Sequence, residues 1–104
     1  MVKSEIVAQL KERIINKTLN LIDVREQVEY AQGHVPGAVN MPLSNFENSC
    51  ESLSKDKTYH IICQSGGRSA QAAAYLSNKG YDVVNVIGGT SAWTAPLERG
   101  CYDA

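Results

Sequence analysis

The chain has 104 residues, enough for one ordinary domain with a real core and too few for two. Ten basic against eleven acidic residues give a formal charge of -1, without the basic surplus of a general nucleic-acid binder, and no apolar run approaches the roughly 20 residues of a membrane span. Three cysteines, at 50, 63 and 101, are an odd number without CxxC spacing, which rules out a disulfide scaffold, argues against a zinc site and points to a reducing cytoplasmic setting.

The opening stretch, MVKSEIVAQLKERIINK, breaks its apolar residues with charges every few positions, unlike a signal peptide. Residues 4–15 are expected to form an amphipathic helix. Ile6, Leu10 and Ile14 are spaced by four among Lys3, Glu5, Lys11, Glu12 and Arg13, with Ser4 as N-cap and Asn16 as stop. LNLIDV at 19–24 reads as a short strand, and 26–32 as a short helix with Gly33 at its C-terminal end. Pro36 and Gly37 make a turn before a short strand at 38–41. Ser44 and Glu47 form an S-x-x-E pattern, a capping box for a helix around 45–53. TYHIIC at 58–63 is rich in strand formers, and 69–79 is alanine-rich and helical with Gly80 as its cap. VVNVI at 83–87 is apolar enough for a strand covered on both faces, and a last short helix is expected around 91–93. Residues 98–104 read as a frayed tail. Strands alternating with helices imply an α/β fold, a small parallel sheet of about four or five strands with helices on both faces, in a single domain.

One constellation carries chemistry. A strand ends at Cys63, the loop Gln64-Ser65-Gly66-Gly67 follows, then Arg68, and a helix begins near Ser69. In open α/β sheets, ligands sit at the carboxyl ends of strands. Curled around the sulfur, the loop amides form an anion nest, the helix N-terminus adds partial positive charge, and Arg68 offers a planar fork for oxyanions. All three favour a thiolate, so the Cys63 pKa is expected to be depressed. Gly66 and Gly67 are expected to be glycine because the loop needs positive φ and side chains would crowd the pocket. Ser65 and Ser69 can donate hydroxyl hydrogen bonds to sulfur, or serve as a small loop residue and a helix cap. Cys50, in a polar helix, and Cys101, in the tail, have no such surroundings.

CQSGGRS at 63–69, with LIDVRE at 21–26, GHVPGAVNMP at 33–42 and IGGTSAW at 87–93, resembles a single-domain rhodanese, a sulfurtransferase, over residues 4 to about 97. Members often open with a short strand before the first helix. Only Met1–Lys3 remain to form it here, a departure that concerns the edge strand and not the site. The Cys63–Arg68 loop is C-x4-R, one residue shorter than the C-x5-R of related cysteine phosphatases. A shorter cradle suits one extra sulfur better than a tetrahedral phosphate. The resemblance implies covalent catalysis in which the Cys63 thiolate takes a sulfane sulfur from a small anionic donor such as thiosulfate. The persulfide then passes it to cyanide or a cellular thiol, such as that of a thioredoxin-like or sulfur-carrier protein. Gln64, Ser65, Gly66, Gly67, Arg68 and Ser69 are expected to bind the donor. Neither metal nor organic cofactor is called for, because the donor already holds a labile sulfur, and neither nucleic acid nor membrane is an expected partner.

Other residues have plainer readings. Asp23 and Arg25 read as a buried ion pair tying loops together, a role the resemblance supports. His34 lacks metal partners at the right spacing and is expected to hydrogen-bond a loop. His60, three residues before Cys63 on one strand, faces the opposite side and is a poor general base. Trp93 reads as a core anchor of the last helix. Three rival functions remain: a phosphatase or arsenate reductase on the related fold, a non-catalytic binding module, and a thiol redox protein pairing Cys63 with Cys50 or Cys101.

Overall fold

The computed structural model describes residues 2–15 and 19–100. Five strands, β1 (Lys3–Ile6), β2 (Asn20–Asp23), β3 (Val39–Asn40), β4 (Thr58–Ile62) and β5 (Asp82–Ile87), alternate with helices α1 (Val7–Ile15), α2 (Gln27–Gln32), α3 (Phe46–Ser49) and α4 (Gly67–Asn78). All strand pairs are parallel, in the order β1-β5-β4-β2-β3. The central strands β4 and β2 therefore lie side by side, with Ile22 opposite Ile61.

Strand alternation sorts the core into two layers. Leu21 and Ile62 join Leu10, Tyr30, Val35 and Ala38 beneath α1 and α2. Ile22 and Ile61 join Phe46, Cys50, Ala72, Ala73 and Leu76 beneath α3 and α4. Each fully buried aliphatic side chain contributes about 1.5–3 kcal/mol of transfer free energy. Helix α4 ends at Asn78 with Lys79 as its cap, and the expected Gly80, at φ +94°, follows just beyond: its N–H donates to the Ser77 carbonyl and the Tyr81 N–H to that of Leu76, each at 3.0 Å.

Several expectations need correction. The first helix starts at Val7, not Ser4, because residues 3–6 pair with β5 as the edge strand. Ile6 ends that strand, half exposed, and its N–H is capped by the Gln9 side chain at 3.0 Å. The strand is held by Glu5, a buried acid whose carboxylate meets His60 Nδ1 at 2.7 Å and Arg13 Nε at 3.0 Å. The expected stop at Asn16 lies outside the described residues.

The Ser44–Glu47 box does not form. The segment breaks into short 3-10 turns at Leu43–Asn45 and Cys50–Ser52 around α3, and the Ser44 hydroxyl donates to Glu26 Oε1 at 2.8 Å instead. The capping interaction belongs to α2, where the Glu29 carboxylate accepts the Glu26 N–H at 3.0 Å. The last helix is a 3-10 turn at Thr90–Ala92. Nor is the start of the expected tail free: Glu98 exchanges main-chain hydrogen bonds with His34, and the Gly100 N–H donates to the Ala31 carbonyl at 2.9 Å. Residues 101–104, Cys101 included, lie outside the described residues.

Candidate active site

Cys63 sits at the carboxyl end of β4, 1% exposed, where the chain turns from the sheet toward α4. Gly66 makes that turn possible. Its φ of +113° is left-handed, a region an L side chain enters only at a cost, and it aims the Gly66 N–H at the Cys63 sulfur, 3.0 Å away. Gly67 does not share this reason. It is the first residue of α4, and a Cβ there would meet nothing within 4 Å.

Ser69, buried in the first turn of α4, places its hydroxyl 3.4 Å from Sγ and 3.1 Å from the Gly66 carbonyl. A neutral thiol can donate to Ser69 Oγ, which then donates to Gly66. Once the thiol ionises, the hydroxyl can turn and donate to sulfur, so one rotor serves both protonation states. Burial pushes the Cys63 thiol up. The Ser69 hydroxyl and the main-chain amides of Ser69, Gly66 and Ser65 outweigh it and hold the pKa below the usual thiol value.

A second loop buttresses the first. The Cys63 carbonyl accepts the Thr90 N–H at 2.8 Å and its hydroxyl at 3.2 Å, and the Gln64 carbonyl accepts the Ser91 N–H at 2.9 Å. Gly89, at φ +58°, packs so closely that a Cβ would fall on the Cys63 carbonyl oxygen. Sequence reasoning missed this support. The Gly-Gly pair after β5 signals a special turn, but not the loop it touches. Trp93, on the same segment, packs against the Leu10–Tyr30 layer as expected and donates from Nε1 to the Pro96 carbonyl at 3.3 Å.

Asp23 and Arg25 are a buried pair with two-pronged contact, Nε at 3.1 Å and Nη2 at 3.0 Å from the carboxylate oxygens. Arg25 also donates to the Gly33 carbonyl at 2.7 Å and to Gln64 Oε1 at 3.4 Å, so the pair ties the β2 and β4 loops together. His34 is buried, stacked on Tyr30, with Nδ1 2.8 Å from the Tyr30 carbonyl oxygen. His60 faces away from Cys63, toward Glu5.

Arg68, expected to present its fork to anions at the loop, turns it on Glu29. Nη1 lies 2.6 Å and Nη2 2.9 Å from the two carboxylate oxygens. The arginine hydrogen bond holds the Glu29 carboxyl down at about 2, and Glu29 in turn raises the Arg68 pKa, with smaller Coulombic contributions from Cys63 and Asp23. Arg68 therefore stays within electrostatic reach of the sulfur. Sequence reasoning missed Glu29, which lies on α2, 39 positions before its partner. Gln64, Ser65 and Gly67 are exposed at the rim. Cys50 is not in a polar setting, as its neighbours in sequence suggested. It lies in the core layer with Ile61 and Ala73, and burial raises its pKa.

Comparison with known proteins agrees with this fold. The family model described as Rhodanese-like domain matches residues 7–96. The Bacillus subtilis (strain 168) protein named "Putative sulfurtransferase YtwF" is 44% identical over 93 residues, covering 88% of this chain and 90% of that one. A protein of Allochromatium vinosum named "Sulfurtransferase" is 42% identical over 74 residues, 70% of this chain and 69% of its own. The crystal structure of a rhodanese-like domain protein from Staphylococcus aureus superposes with a TM-score of 0.89 at 35% identity, covering 96% of this chain and all of that one. With a five-stranded parallel sheet, helices on both faces and a matched family model over most of its length, the chain belongs to the rhodanese-like domain family.

Proposed function

We propose that this domain is a sulfurtransferase that carries a sulfane sulfur on Cys63. The observation that carries the reading is the Gly66 N–H, 3.0 Å from a buried sulfur that also lies beside the Ser69 hydroxyl. These donors hold a thiolate, and equally the inner sulfur of a persulfide, without a neighbouring base. The thiolate attacks the outer sulfur of a donor. With thiosulfate, the Cys63 Sγ–S bond forms, the S–S bond of the donor breaks, and sulfite leaves with the electron pair. In the second half an acceptor thiolate attacks the terminal sulfur, and the Cys63 thiolate departs as the leaving group. Cyanide gives thiocyanate by the same displacement.

His60 points away, toward Glu5, so proton abstraction from Cys63 by a histidine on β4 has no support. A pre-formed thiolate makes it unnecessary. The exposed edges of Gln64, Ser65 and Gly67 leave room for a donor at the mouth of the loop. We assign the reaction to the reducing cytoplasm, where an acceptor thiol is at hand.

The test is intact-protein and peptide mass spectrometry after incubation with thiosulfate or glutathione persulfide. The expected result is a gain of about 32 Da, one sulfur atom, on Cys63, removed by cyanide. A Cys63–Cys50 disulfide would favour thiol redox chemistry instead, and turnover of a phosphate ester without sulfur uptake would favour a phosphatase.

A further inference from the structure

Both arginines flanking the Cys63 loop are already engaged by carboxylates: Arg25 by Asp23, and Arg68 by Glu29. The two pairs differ in setting. Asp23 and Arg25 are almost wholly buried, whereas the side chains of Arg68 and Glu29 are 35% and 34% exposed. The outer pair bridges α4, which follows β4, to α2, which follows β2, and so spans the carboxyl edge of the sheet beside the loop.

Glu29 is fixed from two sides. Its Oε1 accepts the Glu26 N–H at 3.0 Å and Arg68 Nη1 at 2.6 Å. Its low pKa keeps it ionised at any pH where the thiolate works. A doubly charged donor reaching this mouth therefore meets a guanidinium whose charge is already matched, with a fixed carboxylate beside it. A persulfide, with at most one negative charge on its two sulfurs, meets less repulsion and loses less from the missing free cation.

We propose that Glu29 sets donor preference at this site, biasing it toward persulfides and away from the thiosulfate dianion by occupying the Arg68 fork. The proposal rests on the sulfur-transfer reading and specifies its donor class. Glu29 touches no reacting atom and acts through Arg68, so it is a positioning residue.

Glu29→Gln is the informative change. The amide oxygen can keep the Glu26 cap and the Arg68 Nη1 contact, while the amide NH2 cannot accept from Nη2, so one arm of the fork is released and one negative charge is lost. The measurement is kcat/KM for thiosulfate and for the persulfide of 2-mercaptoethanol, which carries no other charge, in wild type and Glu29→Gln, at low and high salt. The thiosulfate-to-persulfide ratio is expected to rise about tenfold, within the range of one partly screened charge interaction. The thiosulfate constant of the variant should also fall more steeply with salt than that of wild type, which a merely structural strut would not cause. A ratio within twofold of wild type, or a parallel fall in both constants with an unchanged salt slope, overturns the proposal. If Glu29→Gln is poorly folded, Glu29→Ala is assayed for the same ratio and salt slope, and an unmoved ratio there overturns the proposal as well. Failure of wild type to load sulfur on Cys63 from either donor refutes the sulfur-transfer reading itself, a result distinct from a ratio that does not move.

Discussion

Two cysteines lie in one core layer and differ in almost everything that matters chemically. Cys50 and Cys63 are 2% and 1% exposed, and both pack with Ile61, Ala72 and Ala73. Cys50 meets a carbonyl, that of Glu47 at 3.6 Å, and burial raises its pKa. Cys63 meets an amide and a hydroxyl, and its pKa falls although it too is buried. Burial alone makes a thiol inert. What lowers the pKa of Cys63 is the direction of the few dipoles that share its pocket.

The comparison is broken most completely by Cys63→Ser. Sulfur transfer should fall to background while the fold is retained. Cys50→Ser should keep transfer near the wild-type rate and lose stability by about 1–3 kcal/mol, because a hydroxyl replaces a thiol in an apolar site. Parallel rate assays and thermal melts check both.

Gly89→Ala comes next. The added Cβ would strike the Cys63 carbonyl at a left-handed φ, with an expected cost of about 2–4 kcal/mol and a slower rate of Cys63 alkylation. Denaturant melts and iodoacetamide kinetics read the two effects. An unchanged midpoint would show that the loop after β5 yields without strain.

Ser69→Ala sharpens the contrast more gently. Losing the Ser69 hydroxyl, which helps to hold the thiol down, should raise the Cys63 pKa. The sign follows from the group. A depressed thiol pKa means the thiolate contributes stability above the unfolded value, and that contribution is lost as pH falls through the folded value. The acid limb of the alkylation rate should therefore move to higher pH in Ser69→Ala. A limb that stays in place would assign the depression to the main-chain amides alone.

Much of this was readable in the sequence, because alternation of short apolar runs with helical stretches encodes a parallel sheet, and Cys-x4-Arg after a strand encodes a loop at its carboxyl end. What escaped depended on distant partners. Ile6, Leu10 and Ile14 keep helical spacing, yet Ile6 ends a strand, because pairing with β5 and the Glu5–His60–Arg13 contacts fix residues 3–6 as extended chain. Local periodicity cannot report either. Ser44 had the local pattern of a cap, but Glu26, 18 positions earlier, took its hydroxyl. Arg68 was correctly placed beside the loop, but the residue that engages its fork comes from another helix.

The left-handed turn at Gly66 has a consequence for how this domain can change over time. The donors nearest the sulfur are largely backbone groups, supplied by the path of the chain and not by the identity of side chains at 64, 65 or 67. Those outward-facing positions can be rewritten while the Cys63 sulfur keeps its donors. The hold on the sulfur and the face turned to solvent are thereby uncoupled within one short loop, so that the rim can change without rebuilding the amide cradle.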